Sequence, residues 1–176
     1  MTFIRTGLLT GCAALGLALG CADDVPPTAP VLRNMSVALT PSEETPAVTA
    51  SSSGTANLII SDTNEVSVQL IVANIDSVTA AHIHAGSPGV AGPIMVNLTP
   101  TYALVRGQRV ARHLPDSATT LNGVLSHVNV TRGVTAFSAP FTFDSLLTRI
   151  NNGTAYVNVH TRVNPSGEIR GQIITP

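Results

Sequence analysis

The chain has no tryptophan and no lysine, and only 3% of its residues are aromatic and 11% charged. Its two cysteines, Cys12 and Cys21, both stand near the start. Nothing beyond Cys21 can form a disulfide, so the rest of the chain must hold together by its core alone. All nine basic residues are arginines, and the eight that follow Arg5 face ten acidic residues. Such a balance supplies no basic footprint for nucleic acid, and no nucleic-acid partner is expected. Also missing are a G-x-S-x-G elbow, an H-E-x-x-H zinc motif and a glycine-rich phosphate loop. Glu43 and Glu44 are adjacent, so in an extended chain they face apart and make a poor acid/base pair. No catalytic residues emerge from the sequence, and the expected role is a non-enzymatic one.

One uninterrupted run of small and apolar residues is present, Leu8 to Gly20, preceded by Arg5 and ended by Cys21. It is shorter than the roughly 20 residues of a bilayer span but suits the core of a signal peptide. Ala18-Leu19-Gly20-Cys21 resembles the lipobox of bacterial lipoproteins, with Leu17 one place earlier than the usual leucine. The resemblance implies a signal peptide over residues 1–20 and lipidation of Cys21. It also implies a cell-envelope location with an N-terminal membrane anchor, at the outer membrane if the cell has two membranes, since Ala22 rather than Asp follows the cysteine. Leu9-Thr10-Gly11-Cys12 fits the short pattern but leaves too little apolar sequence before it. Ordinary cleavage near Ala22, with release into the periplasm or medium, is the alternative. Residues 21–31 are acidic and then proline-rich, with Asp23, Asp24, Pro26, Pro27 and Pro30, which favours an extended tether.

Residues 32–176 form one domain of ordinary size, long enough to bury a core. Segments rich in Val, Ile, Thr and Leu recur between turn residues: Val37–Leu39, Gly54–Ile60, Glu65–Ala73, Ala80–His84, Ile94–Leu98, Leu121–Val130, Ala155–Thr161 and Glu168–Ile174. About eight short strands at this spacing predict an all-β fold, an antiparallel Greek-key-like sandwich or barrel. One short helix is expected near residues 143–152, with Asp144 as its cap, Leu146, Leu147 and Ile150 at helical spacing, and Gly153 as its stop. Thr99 to Thr119 reads as a long loop with a weak element.

Two segments carry the functional reading. In a strand, His82 and His84 point to one face and Ala81 and Ile83 to the other. Their imidazoles lie about 7 Å apart along the strand and can share a metal ion if a neighbouring strand adds a third. His160 is the natural third, and neutral imidazoles suit copper or zinc. Near the end of the chain, Asn164-Pro165-Ser166-Gly167 predicts a turn. Alternation around it places Asn158, His160, Glu168, Arg170 and Gln172 on one outward, polar side of two strands. The other reading of the same residues is a structural network. In it the histidines bond to backbone or to a carboxylate such as Glu168, Gly171 permits close packing, and Arg170 pairs with Glu168 or a carbonyl.

Three stretches together resemble the CHRD domain, repeated in the extracellular protein chordin and found singly in bacterial exported proteins. They are Ala81-His82-Ile83-His84-Ala85-Gly86 with Gly92-Pro93-Ile94, Tyr156-Val157-Asn158-Val159-His160-Thr161 with Gly167-Glu168-Ile169-Arg170-Gly171-Gln172, and the opening Ser42-Glu43-Glu44-Thr45-Pro46-Ala47-Val48 with Gly54-Thr55-Ala56. Ala47 replaces the second proline of that opening. The resemblance implies a β-domain outside the cytoplasm that acts as a binding or interaction module, with a protein or glycan as its partner. A second likeness is to copper-zinc superoxide dismutases, whose copper site also uses an H-x-H strand, a late Val-His and a following arginine. Here no histidine-rich zinc loop follows His84, and the isolated His113 and His127 do not supply one, so dismutase chemistry is not implied. A simplified copper site remains compatible with the pattern.

Overall fold

A computed structural model describes residues 33–62, 65–98, 102–105, 108–111, 121–133 and 135–175. The expected signal peptide, the tether, Cys12, Cys21, Arg106, Arg112 and His113 lie outside the described residues. The strands are β1 (Arg33–Leu39), β2 (Ser53–Ile60), β3 (Glu65–Ile75), β4 (Val78–Ala85), β5 (Ile94–Asn97), β6 (Tyr102–Val105), β7 (Gln108–Ala111) and β8 (Leu121–Thr131). One helix, α1 (Phe143–Asn151), precedes β9 (Ala155–Thr161) and β10 (Ile169–Ile173).

Eight of these strands build an antiparallel sandwich, as the alternating pattern predicts. One sheet has the order β1-β2-β3-β8, the other β10-β9-β4-β5. The chain passes between sheets from β3 to β4, and long connections return β8 to the side of β3 and β9 to the side of β4. Thr40 joins the sheets at one edge by exchanging backbone hydrogen bonds with Arg170 at 2.9 and 3.1 Å. The core between the sheets takes alternate residues from both, among them Leu39, Leu58, Val68 and Leu70 from one and Ile83, Val157, Val159 and Ile169 from the other. Phe143, Leu146 and Ile150 of α1 join it.

Three expectations change. Strand β1 begins four residues before Val37, because Met35, Val37 and Leu39 alternate inward while the polar residues between them face out. The stretch read as a long loop with a weak element contains the hairpin of β6 and β7, which pair from Tyr102↔Ala111 to Val105↔Gln108. The helix is capped by Thr142, not Asp144. The Thr142 side chain accepts from the Ser145 N–H, and the Ser145 hydroxyl accepts from the Thr142 N–H at 2.8 Å. Asp144 sits inside the first turn, where it receives both arms of the Arg132 guanidinium, one at 2.6 Å. Gly153 does end the helix, in the left-handed region at φ 64.

The junction of β1 with β10 depends on Gly171. A Cβ there would sit 2.2 Å from the Ala38 carbonyl oxygen and 2.7 Å from Val37 Cγ1. Both neighbours belong to a strand and cannot withdraw without parting the edge. Gly171→Ala should therefore cost about 1–3 kcal/mol of stability, typical of overpacking, read as a lower urea midpoint. An unchanged midpoint would show that the edge is slack.

Candidate metal centre on the second sheet

Register brings the predicted residues together. His82 pairs with Asn158 and His84 with Tyr156 across β4 and β9, while Arg170 pairs with Asn158 across β10 and β9. His160 lies opposite Ala80, one step diagonal to His82. All these side chains stand on the face of the second sheet that points away from the sandwich core.

That face was expected to meet solvent, and the structure overturns the expectation. Asn158 and Arg170 are each 2% exposed and His84 7%. The cover consists of the segment around Pro41–Val48, which starts with a short 3-10 turn at Pro41–Glu43, and the loop from Gly86 to Pro93. Arg170 holds both down. Its guanidinium donates to the carbonyl oxygens of Ser87 and Val90 at 3.1 Å each, to Thr45 Oγ1 at 3.5 Å and to Gln172 Oε1 at 3.3 Å. Gln172 Nε2 in turn reaches the carbonyls of Gly86, Gly153 and Ala155 at 2.8–2.9 Å. A polar strand face is buried here because backbone carbonyls satisfy its donors.

Glu168 does not join this group. It accepts from Thr161 Oγ1 at 2.7 Å and from Asn164 Nδ2 at 3.0 Å, and so clamps the final turn. The pairing of Arg170 with Glu168 considered from the sequence is absent, and carbonyls take its place.

The three histidines converge. One nitrogen from each of His82, His84 and His160 lies within 4.8 Å of the others. His84 Nδ1 is 2.8 Å from the Gly92 carbonyl and His160 Nδ1 is 2.9 Å from the Pro165 carbonyl. A carbonyl only accepts, so both rings carry their proton on Nδ1 and present a lone pair at Nε2. His84 Nε2 is buried and has no hydrogen-bond partner. His160 Nε2 is 2.9 Å from His82 Nδ1, which must donate to it. The backbone carbonyls thus fix tautomer and ring direction in the manner of an outer coordination shell. Gly92 has to be glycine for this: a Cβ there would fall 1.6 Å from the Ala85 carbonyl oxygen. Tyr156 adds a wall, its ring stacked on His84 at 5.0 Å between centroids and 12° between planes.

Nitrogens around an ion at about 2.0–2.1 Å would stand roughly 3.4 Å apart, against the 4.8 Å within which these three lie. To join such a set, His82 would hold its proton on Nε2 and leave Nδ1 free as the donor. Electrostatics prepare the rings for this. Burial, followed by the neighbouring His160 and His84, lowers the His82 pKa to about 4. Burial also lowers those of His84 and His160, opposed by their carbonyl bonds and, at His84, by the Asn158 side chain. All three imidazoles are neutral near pH 7 and offer lone pairs without competition from protons.

Glu44, half of a poor acid/base pair by its place in the sequence, lies beside this centre. Its Oε1 and Asn158 Oδ1 are buried without partners. Burial lifts the Glu44 pKa from 4.5 to about 7, against the lowering effect of the Arg170 charge. The only hint in the sequence is its position in the Glu44-Thr45-Pro46 opening.

These shifts act on stability with opposite signs. For His82 the unfolded chain binds a proton near 6.5 and the folded one only near 4. Its contribution is present above pH 6.5 and is lost as pH falls towards 4. For Glu44 the folded value is the higher, so its contribution is present below pH 4.5 and is lost as pH rises through about 7. Metal-free protein should show a urea midpoint that drops from pH 6.5 to 4, with a flatter profile in His82→Gln. Glu44→Gln should gain on the wild type above pH 7. Parallel pH profiles for all three proteins would contradict both assignments.

A family model for the CHRD domain matches residues 35–173, the span of the sandwich from Met35 in β1 to the end of β10. No curated protein and no solved structure matches the chain. The matched span contains the histidine strand, the closing hairpin and the Glu44 segment that covers it, and the chain belongs to the CHRD domain family.

Proposed function

We propose that this CHRD domain is a transition-metal-binding module, taking copper or zinc at His82, His84 and His160. The observation that carries the reading is the buried, unpartnered His84 Nε2 in a cluster of three imidazoles that each bring one nitrogen within 4.8 Å of the others, while backbone carbonyls hold Nδ1 of His84 and of His160. An unsatisfied buried nitrogen costs about 1–3 kcal/mol. A metal ion removes that cost.

The domain is further proposed to work as an exported protein tethered to the cell envelope through a lipid on Cys21. The apolar run ending at Cys21, and the proline-rich stretch after it, support this. A protein or glycan partner outside the cytoplasm would be met by the same module. The second reading, a purely structural polar network that serves such a partner, is favoured by how many carbonyls Arg170 and Gln172 bind.

Titration of the purified protein with copper and with zinc separates the readings. A metal site gives near one equivalent bound. At a hundredfold excess over Kd it also gives about 2.7 kcal/mol of added stability. Both effects should vanish in the His82→Ala, His84→Ala, His160→Ala variant while its far-UV circular dichroism stays that of a β-protein. No uptake by the wild type would leave the network reading standing. For the anchor, Cys21→Ser should move the protein from the membrane fraction to the soluble fraction and abolish incorporation of labelled fatty acid. An unchanged membrane fraction would rule the Cys21 anchor out.

A further inference from the structure

Three imidazoles by themselves do not choose between copper and zinc. The surroundings of these three do. His84 lies on one face of the Tyr156 ring, and the Arg170 guanidinium lies 3.5 Å from the centre of the same ring. His84 is on β4 and Arg170 on β10, the two neighbours of the strand that carries Tyr156, so cation and ligand approach from opposite sides. The guanidinium carbon is no more than about 8.5 Å from the His84 ring centre. At that distance its field reaches His84.

We infer that the His82, His84 and His160 site, read as a metal site above, selects monovalent copper over divalent zinc, with Arg170 as the residue that sets the preference. The ligand set is neutral: the three groups brought together are imidazoles, and no thiolate or carboxylate belongs to the cluster among the described residues. A bound ion therefore keeps its full charge in a partly buried site. The solvation penalty of a buried ion grows with the square of its charge, so a divalent ion loses far more than a monovalent one. A fixed cation behind the ligand adds repulsion in proportion to the ion's charge. Across about 10 Å at an effective dielectric of about 20, that is on the order of tenfold in affinity per unit of charge.

Charge neutralisation from nearby is weak. Glu44 is the acid whose field meets Arg170, and its carboxyl is held largely protonated below pH 7 by burial. Glu168 is committed to the turn through Thr161 and Asn164. Coordination number points the same way. Zinc held by three protein ligands needs a water as its fourth, and three imidazoles are gathered here. A monovalent copper ion is content with three.

The experiment is a pair of competition titrations on the full chain, without oxygen. Cu(I) is partitioned against bicinchoninate and Zn(II) against a chromophoric chelator, both at pH 7. The expected Kd for Cu(I) is at least a hundredfold below that for Zn(II). Arg170→Gln should narrow this ratio about tenfold by strengthening zinc more than copper. Glu44→Gln keeps the side chain's shape and removes the part of the opposing charge that Glu44 still carries at pH 7, so it should widen the ratio, by less than Arg170→Gln narrows it. It also guards against an Arg170 variant that fails to fold. Equal affinities, or tighter zinc, would overturn the selectivity while leaving metal binding intact. A ratio indifferent to Arg170→Gln and Glu44→Gln would overturn the role of the guanidinium. Failure of the wild type to bind either ion would remove the metal site itself and this inference with it.

Discussion

A single buried guanidinium organises one whole side of this protein. Arg170 is 2% exposed, and moving its charge out of water is tolerable only because carbonyl oxygens, a hydroxyl and an amide receive its donors while the Tyr156 ring takes its flat face. The groups that satisfy it come from two segments far apart in the chain, around Thr45 and from Ser87 to Val90. Holding them, Arg170 draws both over the outer face of the second sheet. Lysine could not replace it: an ammonium lacks the planar fork that meets several acceptors while stacking on a ring.

Under that cover the second sheet has two buried faces. On the inner side, Val157 and Val159 meet the hydrophobic core. On the outer side, Tyr156, Asn158 and His84 are buried under loop backbone, with His82 and His160 at the margin. The loops do more than exclude water. Carbonyls of Gly92 and Pro165 orient His84 and His160, and the low local polarity keeps the rings uncharged. Structural network and metal site are therefore less opposed than their chemistry suggests. The carbonyl bonds that would stabilise the loops are the same ones that prepare the imidazoles for an ion.

The sandwich itself is legible in the sequence because strands announce themselves locally. Alternation of Val, Ile and Leu with polar residues locates eight strands to within a few residues, and Ala155–Thr161 at both ends. Met35 escapes that pattern because Arg33, Asn34 and Ser36 beside it dilute the apolar signal of an edge strand. The β6–β7 hairpin escapes it because three arginines between residues 106 and 112 resemble a solvated loop. Thr142 is hidden as the cap because Asp144 is also a good capping type, and only the backbone angles decide which residue precedes the first turn. In the site, His82, His84 and His160 can be grouped from strand parity and order along the chain, and the CHRD pattern points to the same segments.

Composition, strand periodicity, the late turn and the family were thus determined by the sequence alone, since each depends on residues close together in the chain or on motifs that survive in one dimension. Burial of the polar face was decided only in three dimensions. A side chain that alternates outward on a strand faces water unless another segment lies on it, and the segments that do so here are about 80 and 125 residues away from Arg170. The same holds for Glu44, which became part of the site through loop placement, and for Glu168, which left it by turning to Thr161 and Asn164. Parity says which side of a sheet a residue takes; packing alone says what lies there.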